Sequence, residues 1–311
     1  DAPSVEDLLA ALRAGVFEVV PAADGDAARR VALARALAAG AAQRQQRARS
    51  ERLLADNAEL SRVLHELRED EVAGHRIQQR ILPASPQDFG WCRVEHRVKP
   101  ALFLSGDFVD CFEVGDRCLA FYLADVSGHG ASSAFVTLLL KTLGNRVRRE
   151  LQRDSAGRRP SLLPTLVNRE LLALGLGKHL TLCCGIIDFA ARQLHWCMAG
   201  HYPQPVVFDG KCAHYLQGTG MPVGLFDDAV YEDRIHALPQ GFTLLVLSDG
   251  AMELLGEGTL ADKEARLLAI VQDGAVTVDA LGRVLGVDDG RPLPDDIAML
   301  VIRETDAVAG A

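Results

Sequence analysis

Four short segments each place aspartates at the end of an apolar stretch. They are LSGDFVDCF, LADVSGHG, LVLSDGAMELL and LPDDIAMLVI, which contain Asp107, Asp125, Asp249 and Asp295. Strand ends beside glycine are places where the backbone approaches a ligand closely. A carboxylate there is costly to bury unless it is paired or bound to a metal. Four such carboxylates brought together would form the oxygen-rich site that Mg²⁺ and Mn²⁺ prefer.

Taken singly, each segment has an ordinary explanation. Ser248–Asp249–Gly250 alone predicts a turn, and Asp107 after Gly106 does so equally. Asp295–Asp296 alone predicts a solvated loop. The order and spacing of all four segments together indicate a functional site.

The sequence resembles SpoIIE/RsbU-type phosphatases of the PP2C-like superfamily in four motifs that occur in the same order: GDFVD, ADVSGHG, LSDG and PDDIAMLVI. MAGHYPQP (198–205) resembles the AGH-x-PP turn of this family, and TGMPVGL (219–225) resembles its G-x-P-L-G loop. HRIQQRILP (75–83) is similar to the end of the helix that precedes such domains. The resemblance covers about residues 75–303.

The resemblance implies an α+β fold, a PP2C-like α-β-β-α sandwich of two antiparallel sheets, and two Mn²⁺ or Mg²⁺ ions. Asp125 would bridge both ions, with the Val126 carbonyl as a further ligand. Asp249 and Asp295 would hold the first ion, and Asp107 would support the second. Two more aspartates lie beside these positions: Asp110 and Asp296.

The implied chemistry is the hydrolysis of a phosphoserine or phosphothreonine. Two cations would lower the pKa of a water that attacks phosphorus in line, and would offset the charge on the phosphoryl oxygens. No cysteine or serine nucleophile is needed. His129, inside SGHG, could be a metal ligand or a proton donor to the leaving hydroxyl, but the family pattern gives the structural role to the neighbouring glycines. His201 is expected to order its loop.

The elements that must position these residues follow from residue 90 onward. Apolar stretches predict strands at 93–98, 107–114, 118–125, 180–188, 193–199, 205–208, 242–248 and 297–302. Helical patterns occur at 131–149, 160–174, 261–271 and 278–285. Strands that follow each other directly favour antiparallel sheets. Residues 86–305 are therefore expected to form the phosphatase domain.

The pattern of residues 1–43 predicts a helix, a short strand at Phe17–Val20, and a second helix that begins at Asp24 or Asp26. This fragment resembles the last third of a response-regulator receiver domain, with Ala22 where that family has a lysine. Its helix leads without a proline into residues 44–85, which are expected to form a helical linker.

The linker carries a seam of 4-3-4-3 spacing formed by Leu53, Asn57, Leu60, Leu64 and Leu67. Such spacing predicts a coiled coil, and a polar residue in the seam favours a parallel pair of helices. We therefore expect a homodimer, the alternative being one amphipathic helix that lies on its own domain. The seam loses its phase near residues 71–74, which suggests a hinge for regulation.

The composition of the chain argues against several other classes of protein. The formal net charge of −9 and a pI of about 5.5 argue against nucleic-acid binding. No apolar run approaches the ~20 residues of a membrane span. Seven cysteines, with no Cys-x-x-Cys pair, argue against zinc and favour reduced, mostly buried thiols in a cytoplasmic protein.

We therefore expect a metal-dependent protein serine/threonine phosphatase in a two-component or partner-switching pathway. Its substrate would be a phosphorylated, STAS-like anti-sigma-factor antagonist. The alternative is a non-catalytic, RssB-like adaptor that delivers a sigma factor for proteolysis, as in regulators of pseudomonads. The four retained aspartates favour catalysis, because each would destabilise a domain that binds no metal. A metal phosphodiesterase or nucleotide enzyme lacks support, since there is no P-loop motif.

Overall fold

The computed structural model describes residues 4–18, 25–128, 130–153 and 157–305. The chain divides into two compact units, Asp1–Glu69 and Asp70–Ala311. The first unit contains helix α1 (Val5–Arg13) and most of helix α2 (Gly25–Ile81). The last turns of α2 belong to the second unit, together with all the strands.

The second unit alternates strands with helices. Its strands are β1 (Gln87–Asp88), β2 (Cys92–Lys99), β3 (Asp107–Glu113), β4 (Cys118–Val126), β5 (Leu180–Asp188), β6 (Gln193–Ala199), β7 (Val206–Phe208), β8 (Ala213–Tyr215), β9 (Arg234–Ala237), β10 (Thr243–Leu247) and β11 (Ile297–Glu304). Its further helices are α3 (Ala131–Arg153), α4 (Leu162–Leu174), α5 (Asp249–Glu253), α6 (Leu260–Gln272) and α7 (Val278–Leu285).

The strands form two sheets in which every neighbouring pair is antiparallel. One sheet has the order β1-β2-β11-β10-β7-β8, and the other has the order β3-β4-β5-β6-β9. The two-sheet α+β architecture predicted from the sequence is confirmed.

Side-chain alternation along the central strands explains why the sheets stack. In β4, Leu119, Phe121 and Leu123 pack into the core between the two sheets. Ala120 and Tyr122, which point the other way, pack against the helices that cover the five-stranded sheet. Because successive residues of a strand face opposite sides, a strand that is apolar throughout must be covered on both faces.

Helices close both outer faces of the sandwich. Residues of α3 and α4 share a core with the five-stranded sheet. Residues of α5, α6 and α7 share another with the six-stranded sheet. A capping box in which Thr259 and Asp262 exchange hydrogen bonds begins α6. The left-handed Gly175 ends α4. The layers therefore run helix, sheet, sheet, helix.

The long strands and helices agree with the sequence prediction to within a few residues. The sequence did not predict β1, β8, β9 and α5, which have two, three, four and five residues. Elements this short have too few positions for a hydrophobic period to be read. The seven cysteines are free thiols, and all except Cys212 are buried.

In the first unit, α2 continues without interruption across residues 43 and 44, so no break in the helix marks that predicted boundary. Phe17 and Glu18 are not in a strand, and the rest of the predicted strand at Phe17–Val20 lies outside the described residues. Ala22 and Asp24 also lie outside them. In the described ranges, no helix has both the length and the apolar character needed to cross a bilayer.

Candidate metal centre

Asp107 and Asp125 face each other across the five-stranded sheet. Asp107 is the first residue of β3, and its register partner on β4 is Asp125. Directly opposed residues of an antiparallel pair have Cβ atoms about 4.5–5.5 Å apart. Two acidic motifs separated by 18 positions in the sequence thus meet as one pair of side chains.

The six-stranded sheet supplies Asp249 and Asp295. Asp249 begins α5 two residues after β10 ends, and Asp295 lies two residues before β11 begins. Ser248 ties the two segments together. Its N–H donates to the Ala298 carbonyl at 2.9 Å, and its hydroxyl accepts from the Ala298 N–H at 2.8 Å. The strand pairing therefore brings these two aspartates to the same end of the sheet.

Asp296 joins the two sheets at this end. Its carboxylate accepts the Gly106 N–H at 2.6 Å and the Ala101 N–H at 2.7 Å. Both oxygens are thus bonded to the backbone of the segment that leads into β3. Asp296 holds the approach to Asp107 in place, which explains why an aspartate is needed beside Asp295.

The Val126 carbonyl points into the space beside Gly106. The peptide group that carries this carbonyl also carries the Ser127 N–H, which donates to the His179 carbonyl at 2.9 Å. A trans peptide directs its C=O and N–H to opposite sides, so the Val126 oxygen faces away from His179. A Cβ at position 106 would lie 2.7 Å from that oxygen, and only glycine fits there.

Burial and mutual repulsion raise the pKa values of three of these carboxyl groups. Burial, followed by Asp125, raises the pKa of Asp107 well above its usual range. Burial, followed by Asp249 and Asp295, raises the pKa of Asp125 to about 7. Burial and Asp295 also raise the pKa of Asp249. The carboxylates thus lie close enough to repel one another, and a cation between them would relieve that repulsion.

The donor set fits a hard divalent cation. Asp107 Oδ2 is buried and has no hydrogen-bond partner, which leaves an acceptor free for a cation. The surrounding groups are carboxylate and carbonyl oxygens, the ligands that Mg²⁺ and Mn²⁺ favour. Among the described residues, no three His, Cys, Asp or Glu side chains stand close enough to enclose an ion as they are. Backbone carbonyls and water would therefore have to supply the remaining ligands.

Exposure increases from the bottom of the site to its mouth. Asp107 is buried at 3% exposure, Asp125 and Asp249 are half-buried, and Asp295 is exposed. A ligand that approaches from solvent therefore meets Asp295 first. Asp107 lies deepest and is the least able to exchange its partners for water.

Asp110 belongs to a different contact. Its two oxygens accept hydrogen bonds from Lys141 Nζ at 2.9 Å each, and Tyr122 donates its hydroxyl at 3.2 Å. Since Asp110 is 2% exposed, the ion pair with α3 satisfies a charge that would otherwise be buried alone. The structure separates Asp110 from the four-aspartate group.

Gln78 is a site residue that the sequence did not single out. Its amide Nε2 donates to the Ser105 carbonyl at 2.8 Å, and its Oε1 accepts the Ser105 N–H at 3.1 Å. Nε2 also donates to the Thr137 hydroxyl at 3.1 Å. The Ser105 hydroxyl in turn accepts the Asp107 N–H at 3.0 Å. The sequence contains little signal for this role, because Gln78 is one of several polar residues in the helix end HRIQQRILP.

His201 connects the two sheets behind the site. Its Nε2 donates to the Leu247 carbonyl on β10 at 3.0 Å, so its Nδ1 accepts the Thr181 hydroxyl of β5 at 3.0 Å. Burial lowers the pKa of His201 to about 4, which keeps the ring neutral. These contacts support the loop-ordering role expected for His201, whereas His129 lies outside the described residues.

This sandwich, with acidic strand ends from both sheets meeting at one edge, defines the PP2C-like class of protein phosphatase folds. The solved PP2C domain of SiaA from Pseudomonas aeruginosa has the same fold. The two superimpose with a TM-score of 0.65 over 78% of this chain and 99% of that domain, at 20% sequence identity.

The family model for Stage II sporulation protein E (SpoIIE) matches residues 115–305. That match covers more than half of the chain, and the chain belongs to the SpoIIE family. The resemblance drawn from the acidic motifs is thereby confirmed.

Two curated proteins are similar in sequence. Protein IcfG of Synechocystis is 26% identical over 202 residues, which cover 58% of this chain and 32% of that protein. The phosphoserine phosphatase RsbP of Bacillus subtilis is 28% identical over 157 residues, which cover 48% of this chain and 37% of that protein. The chain thus matches about a third of the length of these relatives.

Proposed function

We propose that this chain is a metal-dependent protein serine/threonine phosphatase. The observation that carries the proposal is the pairing of Asp107 with Asp125 across β3 and β4, with a buried, unpartnered oxygen on Asp107. Asp249 and Asp295 lie close enough to raise the pKa of Asp125. Membership of the SpoIIE family and the phosphoserine phosphatase activity named for RsbP support the same reaction.

The ligands proposed for two Mn²⁺ or Mg²⁺ ions are Asp107, Asp125, the Val126 carbonyl, Asp249 and Asp295. When bound, such ions lower the pKa of water and offset the charge that develops on phosphoryl oxygens. Asp125 is the register partner of Asp107 and is near enough to Asp249 and Asp295 for their charges to raise its pKa, which suits a shared ligand. Asp295, at the mouth, suits the ion nearer to an arriving phosphoprotein.

The chain's own residues hold the site in place for that task. Asp296 and Gln78 fix the segment that leads into Asp107 through hydrogen bonds to its backbone. His201 and Ser248 fix the six-stranded sheet behind Asp249. Rigid positioning matters because binding energy is lost if the ligands must be ordered at each encounter.

The proposed substrate is a phosphorylated anti-sigma-factor antagonist of the STAS type. RsbP is the relative whose name supports a phosphoserine substrate. The proposed organisation is a receiver-like fragment at 1–43, a helical linker at 44–85 and the catalytic domain at 86–305. In this arrangement, a signal received before residue 44 would act on catalysis through the linker.

A homodimer through the linker is part of the proposal. Leu53, Leu60, Leu64 and Leu67 on α2 are each more than half exposed. Four leucines left in water on one heptad phase are apolar surface that a second copy of the helix would bury.

Phosphate release from a phosphorylated antagonist, measured with Mn²⁺ and with EDTA, tests the proposed activity. We expect release only with the metal, and its loss in Asp125→Ala. Release that is unaffected by EDTA would exclude a metal mechanism. Absence of release from any phosphoprotein, together with binding of a sigma factor, would support the adaptor alternative.

A further inference from the structure

Lys178 and His179 hold every polar group of Ser127, the residue that follows Val126. The Ser127 N–H donates to the His179 carbonyl at 2.9 Å, and the His179 N–H donates to the Ser127 hydroxyl at 3.2 Å. Lys178 Nζ donates to the Ser127 carbonyl at 2.8 Å. The two residues immediately before β5 thus hold the turn that follows β4 through hydrogen bonds.

Ser133, on the first turn of α3, completes this contact. Its buried hydroxyl lies 2.8 Å from the Gly128 carbonyl and 3.2 Å from the Ser127 carbonyl. Lys178 Nζ donates to the same hydroxyl at 3.1 Å. The Lys178 ammonium and the Ser133 hydroxyl therefore bond to each other and to the loop backbone. These contacts connect the start of α3 to the end of β4.

The ammonium lies directly against the loop. A Cβ at position 128 would be 3.1 Å from Lys178 Nζ, and Gly128 has a φ of +74°. The positive φ favours glycine at this position, and a larger residue would crowd the ammonium.

The charge of Lys178 has no acidic partner. In the described ranges, no carboxylate lies within 4.0 Å of Nζ, although the site beside it contains four. A lysine usually extends its ammonium into water, whereas this one is half-buried and bonded to neutral oxygens. Such an arrangement costs solvation, and holding the loop is what the observed contacts accomplish.

From these contacts we infer that Lys178 is a positioning residue for the metal centre. It acts through Ser127 and sets the direction of the Val126 carbonyl and the position of Asp125. The inference rests on the proposed function and assigns Lys178 a role in metal affinity, with no contact to the phosphoryl group. Loss of an outer contact of this kind typically lowers metal affinity or activity ~10–100-fold.

The test compares Lys178→Met and Lys178→Arg with Lys211→Met in the full chain. Lys211 is exposed on the turn between β7 and β8 and serves as the matched control. Mn²⁺ binding is measured by calorimetry, and phosphate release is measured over a range of metal and substrate concentrations. Hydrogen exchange of the Ser127 amide reports the loop without relying on activity. Ser133→Ala is a second variant that leaves the charge intact.

We expect Lys178→Met to weaken Mn²⁺ binding about tenfold and to speed exchange at Ser127. Lys178→Arg and Lys211→Met should bind Mn²⁺ normally. Ser133→Ala should weaken Mn²⁺ binding in the same direction.

Unchanged Mn²⁺ affinity in Lys178→Met with a raised KM for the phosphoprotein would overturn the inference in favour of a phosphate contact. Unchanged affinity and unchanged kinetics would show an ordinary surface lysine. A wild-type chain that binds no Mn²⁺ would instead contradict the proposed function itself.

Discussion

The side-chain amide of Gln78 pairs with both backbone groups of Ser105, as a neighbouring strand would. Its oxygen accepts the Ser105 N–H at 3.1 Å, and its nitrogen donates to the Ser105 carbonyl at 2.8 Å. Gln78 lies in the last turns of α2, and Ser105 lies two residues before Asp107. The end of a helix outside the sandwich is thereby bonded to the segment that presents the deepest carboxylate.

Replacing Gln78 with leucine should therefore affect the metal centre at a distance. The change leaves the buried Ser105 N–H and C=O without partners, at a cost of about 1–3 kcal/mol in the free energy of unfolding. We expect the apparent Mn²⁺ affinity to fall about tenfold as well. Urea denaturation and Mn²⁺ calorimetry measure the two effects. Gln79→Leu, on the exposed side of the same turn, should change neither, and an equal effect in both variants would contradict the argument.

Replacing Asp125 with asparagine should have opposite effects on activity and on metal-free stability. Burial and the neighbouring aspartates raise the pKa of Asp125 to about 7, so above that pH the metal-free protein holds a repelled charge. Asparagine removes the charge and should stabilise the metal-free protein at pH 8 by roughly 1–3 kcal/mol, while Mn²⁺ binding and phosphate release are lost.

Thermal unfolding in EDTA measures the stability of the metal-free protein, and thermal unfolding in Mn²⁺ shows whether the metal still binds. Asp116→Asn, at an exposed position in the turn between β3 and β4, is the control. A metal-free Asp125→Asn variant that is less stable than the wild type would indicate that the carboxylate makes a structural contact instead.

Much of this architecture was predictable because it depends on local patterns. The central strands are continuous apolar runs, so their existence follows from burial on both faces. The acidic motifs lie at strand ends, so their chemistry follows from their positions. The pairing of Asp107 with Asp125 depends on the register between β3 and β4, which single-residue slips would destroy and which no motif encodes.

Gln78 and Lys178 were missed for a related reason. Both act through hydrogen bonds from a side chain to a remote backbone, 27 and 51 positions away in the sequence. A backbone group has no side-chain identity, so such a contact leaves no residue-type pattern to find.

For Asp110 the motif was visible in the sequence, but the contacts of the side chain were not. It lies within GDFVD, yet its partners Lys141 and Tyr122 turn it towards α3.

The Lys141–Asp110 pair should matter for stability and little for metal binding. Removing the cation in Lys141→Met leaves Asp110 buried without its counter-charge, which typically costs 3–5 kcal/mol when a buried pair is broken. The double variant Lys141→Met/Asp110→Asn should recover most of that loss. Chemical denaturation provides the free energies, and calorimetry should show near-normal Mn²⁺ affinity in the double variant. Failure of the second change to rescue stability would mean that Lys141 contributes through packing.

The neutral, buried His201 should make the protein less stable in mild acid. Burial lowers the pKa of the folded ring to about 4 from an ordinary 6.5. Below pH 6.5 the unfolded chain binds a proton that the folded chain does not, so stability falls as the pH drops from 6.5 to 4. His201 should account for about 2 kcal/mol of loss between pH 7.5 and pH 5.

His201→Gln tests this dependence, since glutamine can keep a donor for the Leu247 carbonyl without titrating. The difference in unfolding free energy between wild type and variant should shrink by that amount from pH 7.5 to pH 5. Because the carboxylates of the site titrate equally in both proteins, they cancel in the difference. A difference that stays constant with pH would show that the folded ring binds a proton as readily as the unfolded chain does, so that burial does not lower its pKa.

The exposed leucines of α2 should hold two copies of the chain together. Leu60 lies in the 4-3-4-3 seam with Leu53, Leu64 and Leu67, and glutamate there would place two like charges in a dimer interface. Leu54 is also exposed, at 68%, but it falls outside the seam. Light scattering after size exclusion should therefore give a dimer for the wild type and for Leu54→Glu, and a monomer for Leu60→Glu. Identical masses for the two variants would remove the coiled coil as the reason for these leucines.

If the linker also transmits the signal, Leu60→Glu should change phosphate release while Mn²⁺ affinity stays constant, because the seam lies outside the unit that contains the aspartates.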